Sequence, residues 1–164
     1  MEIVVKNGFL SFNNEKFRCA IGRNGLTSKK SEGDGCTPIG SFKILNLLYR
    51  IDKIGQIQTN IRKEEILENQ GWCDDIESKF YNRKVRFPFT HSAEKLFRDD
   101  DLYDLVFVID YNLNPIIKNK GSAIFLHVAK KDYSPTEGCV AIEKKQLINL
   151  AKIIHRDTYV RIID

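Results

Sequence analysis

The chain opens on three short apolar-polar alternations, EIVV, FLSF and KFRCAIG, separated by Lys6-Asn7-Gly8 and Asn13-Asn14-Glu15. A period of two predicts strands, and Asn7-Gly8 predicts a tight hairpin because both residues accept the positive φ that matches strand twist. The pattern then stops. The segment GRNGLTSKKSEGDGCTPIG, from Gly22 to Gly40, holds five glycines and no apolar period, which predicts a long loop. SFKILNLLYRI regains the density and β-branched character of a strand, although its leucines also suit a helix. From about Asp52 to Pro88 the periodicity is poor, and single aromatics (Trp72, Phe80, Tyr81) sit among charges, as in loops that pack over a sheet. HSAEKLFRDD predicts a short helix with Ser92 as its N-cap and His91 just before it.

LYDLVFVIDYN and SAIFLHVA are continuous apolar runs, the pattern of strands buried on both faces. KKQLINLAKIIHR places Leu147, Leu150, Ala151 and Ile154 on one side at helical spacing, which predicts a long helix ending on His155, and TYVRII supplies a closing strand. No repeat, low-complexity tract or linker interrupts the chain. Together the elements predict a β-rich α+β fold, a sheet or barrel-like sandwich with one or two helices. The 164 residues suit one domain over 1–164, long enough to bury a core without disulfides or metals.

Charge narrows the partners. The 26 basic residues against 22 acidic give a formal +4, but they are scattered, with no run of four, and no RNP sequence, zinc-finger spacing or helix-turn-helix pattern accompanies them. A nucleic-acid partner is therefore not expected. No stretch approaches the roughly eighteen apolar residues of a membrane span, and no basic segment followed by a long apolar run opens the chain, so it reads as soluble and without an export signal. Cys19, Cys36, Cys73 and Cys139 lie far apart with no Cys-x-x-Cys pair, which argues against a zinc ribbon or a redox dithiol.

Candidate chemistry concentrates in IFLHVAKKDYSPTEGCV, from position 124. An apolar run ends on His127, and a proline-containing stretch reaches Cys139 twelve residues later. A loop of that length can fold back and bring both side chains to the end of one sheet. A thiol becomes a useful nucleophile when an imidazole takes its proton and backbone N–H groups receive the oxyanion. Gly138 permits close backbone approach, and Pro135 stiffens the turn. Glu137 acts the other way, since a carboxylate two residues from the thiol raises its pKa unless it points elsewhere. Two readings stand on these residues alone: a nucleophile with its base, or a small buried thiol and a strand-end histidine held by the backbone.

The wider pattern resembles the catalytic domain of the YkuD-type L,D-transpeptidases, whose motif is a strand-borne His followed by Ser/Thr-x-Gly-Cys, here His127 and Thr136-Glu137-Gly138-Cys139. GDGCTPIGSFKI is similar to that family's Gly-rich loop and following strand, and GWCDDIESKFYNRKV and YDLVFVIDYNLNP resemble blocks of its short, single-domain branch. The resemblance runs from Gly22 onward. It implies an L,D-transpeptidase-like β-sandwich or barrel-like sheet with one long C-terminal helix and one or two short ones. It implies that Cys139 attacks a peptidoglycan stem peptide between an L-centre and a D-residue, with His127 as base, through a thioester that an amine from a neighbouring stem resolves into a cross-link. Gly138 and Cys139 N–H groups are the implied oxyanion donors, the Val128 carbonyl orients the imidazole, and Asn112, Ser122 and Thr136 support the site. No metal or organic cofactor is implied, and a monomer is expected. Work in the cell envelope follows from the substrate, in tension with the missing export signal. Many relatives read Ser/Thr-His-Gly-Cys-x-Arg, whereas this chain has Glu137 and Ala141 at the second His and the Arg. That departure keeps two alternatives in view, a carboxypeptidase or amidase with water as acceptor, and a non-catalytic wall-binding module. Cys73 is expected to pack under a loop and Cys36 to fit a tight turn.

Overall fold

The computed structural model describes all residues, 1–164. β1 (Glu2–Lys6), β2 (Phe9–Phe12) and β3 (Glu15–Arg18) form an antiparallel ribbon. Its turns use Asn7-Gly8 and Asn13-Asn14, with φ of 51°, 73°, 47° and 64°, the left-handed values that Asn and Gly tolerate best. β4 (Leu26–Thr27) and β5 (Thr37–Pro38) pinch the Gly-rich loop into a parallel pair, and β6 (Gly40–Tyr49) follows as the longest strand. A one-turn helix α1 (Ile51–Ile54) leads to β7 (Lys63–Glu65), β8 (Gln70–Cys73), β9 (Lys84–Arg86) and β10 (Ala93–Lys95). Last come β11 (Leu105–Ile109), β12 (Phe125–Val128), β13 (Val140–Ile142), the long helix α2 (Lys144–Ile153) and β14 (Tyr159–Ile162).

Nine strands make one sheet, in the order β13-β12-β11-β6-β14-β1-β2-β3, with β7 also on β6. Just past β3, Ala20 exchanges both backbone hydrogen bonds with Ala141 of β13, at 2.8 and 2.9 Å. The two ends of the sheet thus meet, and it nearly closes into a barrel. The central strands are buried on both faces, as their unbroken apolar runs predict. Leu105, Phe107 and Ile109 of β11 and Leu126 and Val128 of β12 face a large core that also takes Leu147, Leu150 and Ala151 from α2. The alternate residues, Val106, Val108 and Phe125, face a second cluster with Leu48, Trp72, Leu96, Tyr103 and Cys139. A small antiparallel sheet, β10-β8-β9, contributes Trp72 to that second cluster.

Three expectations are corrected. Residues after Ser92 form strand β10, not a capped helix, with Ala93 opposite Cys73 and Lys95 opposite Gly71. Pairing to β8 and burial of Leu96, which is fully enclosed, outweigh a local capping signal. The segment from Asp52 to Pro88 is not all loop, because β7, β8 and β9 lie in it, and Cys73 is a buried strand residue. The long helix stops at Ile153, so His155 lies beyond its end. No helix is long and apolar enough to cross a membrane.

Candidate active site

β12 and β13 run parallel, with Leu126 opposite Val140 and His127 opposite Ala141. The pleat sends Leu126, Val128, Val140 and Ile142 into the large core. It sends His127 and Ala141, with Phe125 and Cys139 one pleat earlier, to the other face. There His127, Cys139 and Ala141 line one cleft of about 500 Å³. Strand register therefore converts a separation of twelve residues into neighbouring positions on one surface.

The turn before Cys139 is tied from several sides. The Cys139 carbonyl accepts hydrogen bonds from the Thr136 hydroxyl at 2.7 Å and the Thr37 hydroxyl at 3.3 Å, while Gly22 N–H donates to Thr37 Oγ1 at 2.8 Å. Thr37 is fully buried, which explains why the Gly-rich loop matters to a thiol a hundred residues away. Gly138 N–H donates to Thr136 Oγ1 at 3.1 Å. That donor is already engaged, whereas Cys139 N–H takes no acceptor within the turn. Gly138 has φ 139°, and a Cβ there would stand 2.8 Å from the Cys36 carbonyl oxygen. Gly138→Ala is expected to cost about 1–3 kcal/mol of stability, read from the urea midpoint, and to slow acylation of the thiol by displacing the turn.

Cys139 is 8% exposed. Its Sγ–H donates to the Ala123 carbonyl at 3.1 Å, and Phe125 N–H donates to Sγ at 3.4 Å. Burial pushes the thiol up to about 12, Glu94 adds to this, and the Phe125 N–H and Lys30 oppose it. His127 Nδ1 lies 2.9 Å from the Val128 carbonyl oxygen. A carbonyl only accepts, so Nδ1 carries the proton and Nε2 holds a free lone pair. The edge-on ring of Tyr103, 5.2 Å between centroids, packs against the imidazole. Burial draws His127 down to about 4. The resting pair is thus a neutral thiol and a neutral imidazole, and the thiol proton points at Ala123 instead of at the ring. Such a pair holds no standing thiolate, and the chemistry open to it is general-base transfer.

Other residues singled out from the sequence fall in different places. Ser122 and Thr136 line the cleft, but Asn112 does not. Asn112 instead bonds the carbonyls of Ile117 and Gly121 and the Ile117 N–H, holding the loop before β12. Glu137 lines the open edge of the cleft, where it pairs with Arg23, its side chain 80% exposed. The carboxylate that acts on the thiol is Glu94, from β10. Ala141 stands beside His127 on the cleft face, so the Arg of related motifs has no counterpart there. Lys30, Glu94, Arg98 and Tyr103, which also line the cleft, carry no local signal along the chain. Each reads as a surface or strand residue until distant segments are brought together.

None of the curated proteins matches the chain. One protein family does, the YkuD L,D-transpeptidase catalytic domain, whose profile matches residues 3–162. That span takes in the whole barrel-like sheet from β1 to β14, α2 and the cleft with its Cys139–His127 pair, and the chain belongs to the L,D-transpeptidase catalytic domain family.

Proposed function

We propose that the chain, as one catalytic domain over 1–164, is a cysteine L,D-transpeptidase acting on peptidoglycan stem peptides. The observation that supports this reading is that Cys139 and His127 lie on one face of adjacent strands and line one cleft large enough for a peptide, with Nδ1 of His127 engaged by the Val128 carbonyl. Nε2 takes the thiol proton as Sγ attacks the carbonyl preceding the terminal D-residue. Cys139 N–H receives the developing oxyanion. The imidazolium then protonates the departing amine, the terminal D-residue leaves, and a thioester remains on Cys139. An amine from a neighbouring stem attacks the thioester carbon, giving a new amide and a free thiol.

A tetrapeptide stem is expected to yield the free terminal D-residue together with a cross-linked dimer, seen by liquid chromatography and mass spectrometry. Shortened stem alone would instead identify a carboxypeptidase with water as acceptor. No product from either route would leave a wall-binding module.

A further inference from the structure

One wall of the cleft is acidic. Glu94 from β10, Asp74 just after β8 and Glu32 from the Gly-rich loop come from three separate segments. Of the cations that line the cleft, Lys30 is committed to Asp34 at 2.6 Å and the Arg98 fork to Asp100 at 2.8 and 2.6 Å, while Lys130 pairs with no carboxylate. Tyr103 donates to Glu94 Oε1 and Tyr81 to Glu32 Oε2, each through its hydroxyl. The remaining oxygens of both carboxylates take no hydrogen bond from the protein. Asp74 Oδ1 is buried and has no partner at all. An orphaned buried oxygen of this kind costs about 1–3 kcal/mol, and its two acidic neighbours add repulsion. The strain is visible at Glu94, which burial raises and which Asp74 and Glu32 push further in the same direction, against Tyr103 and Arg98.

A ligand that relieves this wall must bring positive charge and several donors. No three His, Cys, Asp or Glu side chains converge closely enough to hold a metal ion. A primary ammonium suits the wall better, with three N–H donors and a single charge. Glu94 and Cys139 line the same cleft, and Glu94 raises the thiol, so a nitrogen held at this wall shares the cleft with the thioester.

We infer that this wall is the acceptor-amine subsite: Asp74 and Glu32 hold the incoming amine as its ammonium ion, and Glu94 accepts one of its protons before the nitrogen attacks. The inference rests on the transpeptidase reading. In the transfer, the ammonium gives a proton to the Glu94 carboxylate, and the freed lone pair forms the C–N bond at the thioester carbonyl. A second nitrogen proton passes to His127 Nε2 and on to Sγ as the C–S bond breaks. Glu94 then returns its proton to solvent, and the wall is ready for the next amine.

The test is a partition experiment on the acyl-enzyme formed from a tetrapeptide stem. Nα-acetyl-lysine, whose side-chain amine is an ammonium at neutral pH because it titrates near about 10.4, competes with hydroxylamine, which is uncharged there. Because both acceptors draw on the same thioester, the ratio of lysine amide to hydroxamate does not depend on how fast the first step runs. Glu94→Gln and Asp74→Asn are each expected to lower that ratio about tenfold or more. Gln retains an oxygen for the Tyr103 hydroxyl, and Asp74→Asn gives a second readout if the first variant folds poorly. An unchanged ratio in both variants, with acyl-enzyme still forming, overturns the inference alone. Absence of any acyl-enzyme in the wild type overturns the transpeptidase reading and this inference with it.

Discussion

Replacing Cys139 by alanine is expected to abolish the single covalent adduct that a carbapenem leaves on the wild-type chain. Release of the terminal D-residue from a stem peptide is expected to fall by at least on the order of 10⁴-fold. The stoichiometry is as informative as the loss, because the chain has four free thiols. Cys19 is buried in the barrel core and pushed up to about 12 by burial alone, with no imidazole to take its proton. Cys73 is fully enclosed. Cys36 is the most open of the four, yet its sulfur faces only the backbone carbonyls of Asn24 and Asp34, at 3.5 and 3.7 Å. Of the four, Cys139 alone lines the cleft that also holds the His127 imidazole. Intact-mass spectra should therefore show one addition on the wild type and none on Cys139→Ala. An adduct that survives the substitution, or a second one on the wild type, would move the nucleophile elsewhere.

What the sequence reveals of this arrangement depends on how local each determinant is. β11 and β12 are legible because burial on both faces leaves an unbroken apolar run, and α2 because one apolar stripe is enough to seat it on the barrel. The β1–β2 turn is written in two residues, Asn7 and Gly8. β8 and β10 are not legible: strands of four and three residues are too short to show a period, and their stability lies in pairing partners twenty residues apart. The same contrast holds in the site. His127 and Cys139 stand in a compact motif, and the parallel register of two strands completes it. Glu137 is the nearest carboxylate along the chain, but the turn that aims Cys139 inward leaves Glu137 at the exposed edge of the cleft, paired with Arg23. The carboxylate that matters, Glu94, is 45 positions upstream on another sheet and is invisible to any local pattern.

His127→Gln is expected to lower the rate of carbapenem acylation near neutral pH on the order of 10²–10⁴-fold, and to change the shape of its pH profile. The reactive form of the wild type is the neutral pair, and its limits are set by His127 at about 4 and Cys139 at about 12. Between these values Nε2 is free and the thiol is protonated, so the rate should stay level across neutral pH. It should fall as pH drops through about 4, where Nε2 gains a proton and can no longer take one from the thiol. A wild-type midpoint near the ordinary 6.5 would contradict the buried, neutral imidazole. In His127→Gln only the rare thiolate attacks, and its population grows with pH up to about 12. The variant's rate should accordingly rise about tenfold per pH unit through the alkaline range, where the wild type is flat. The imidazole carries an independent stability signature. Its unfolded form binds a proton below 6.5 while the folded form resists until about 4, so the unfolded state holds more protons in that window. Its contribution is complete above 6.5 and is lost as pH falls toward 4, by on the order of 3 kcal/mol. His127→Gln removes this term, so urea unfolding should show a shallower acid decline in the variant than in the wild type, even as the variant's acylation becomes more steeply dependent on pH. A merely structural histidine would move the first of these readouts and leave the second unchanged.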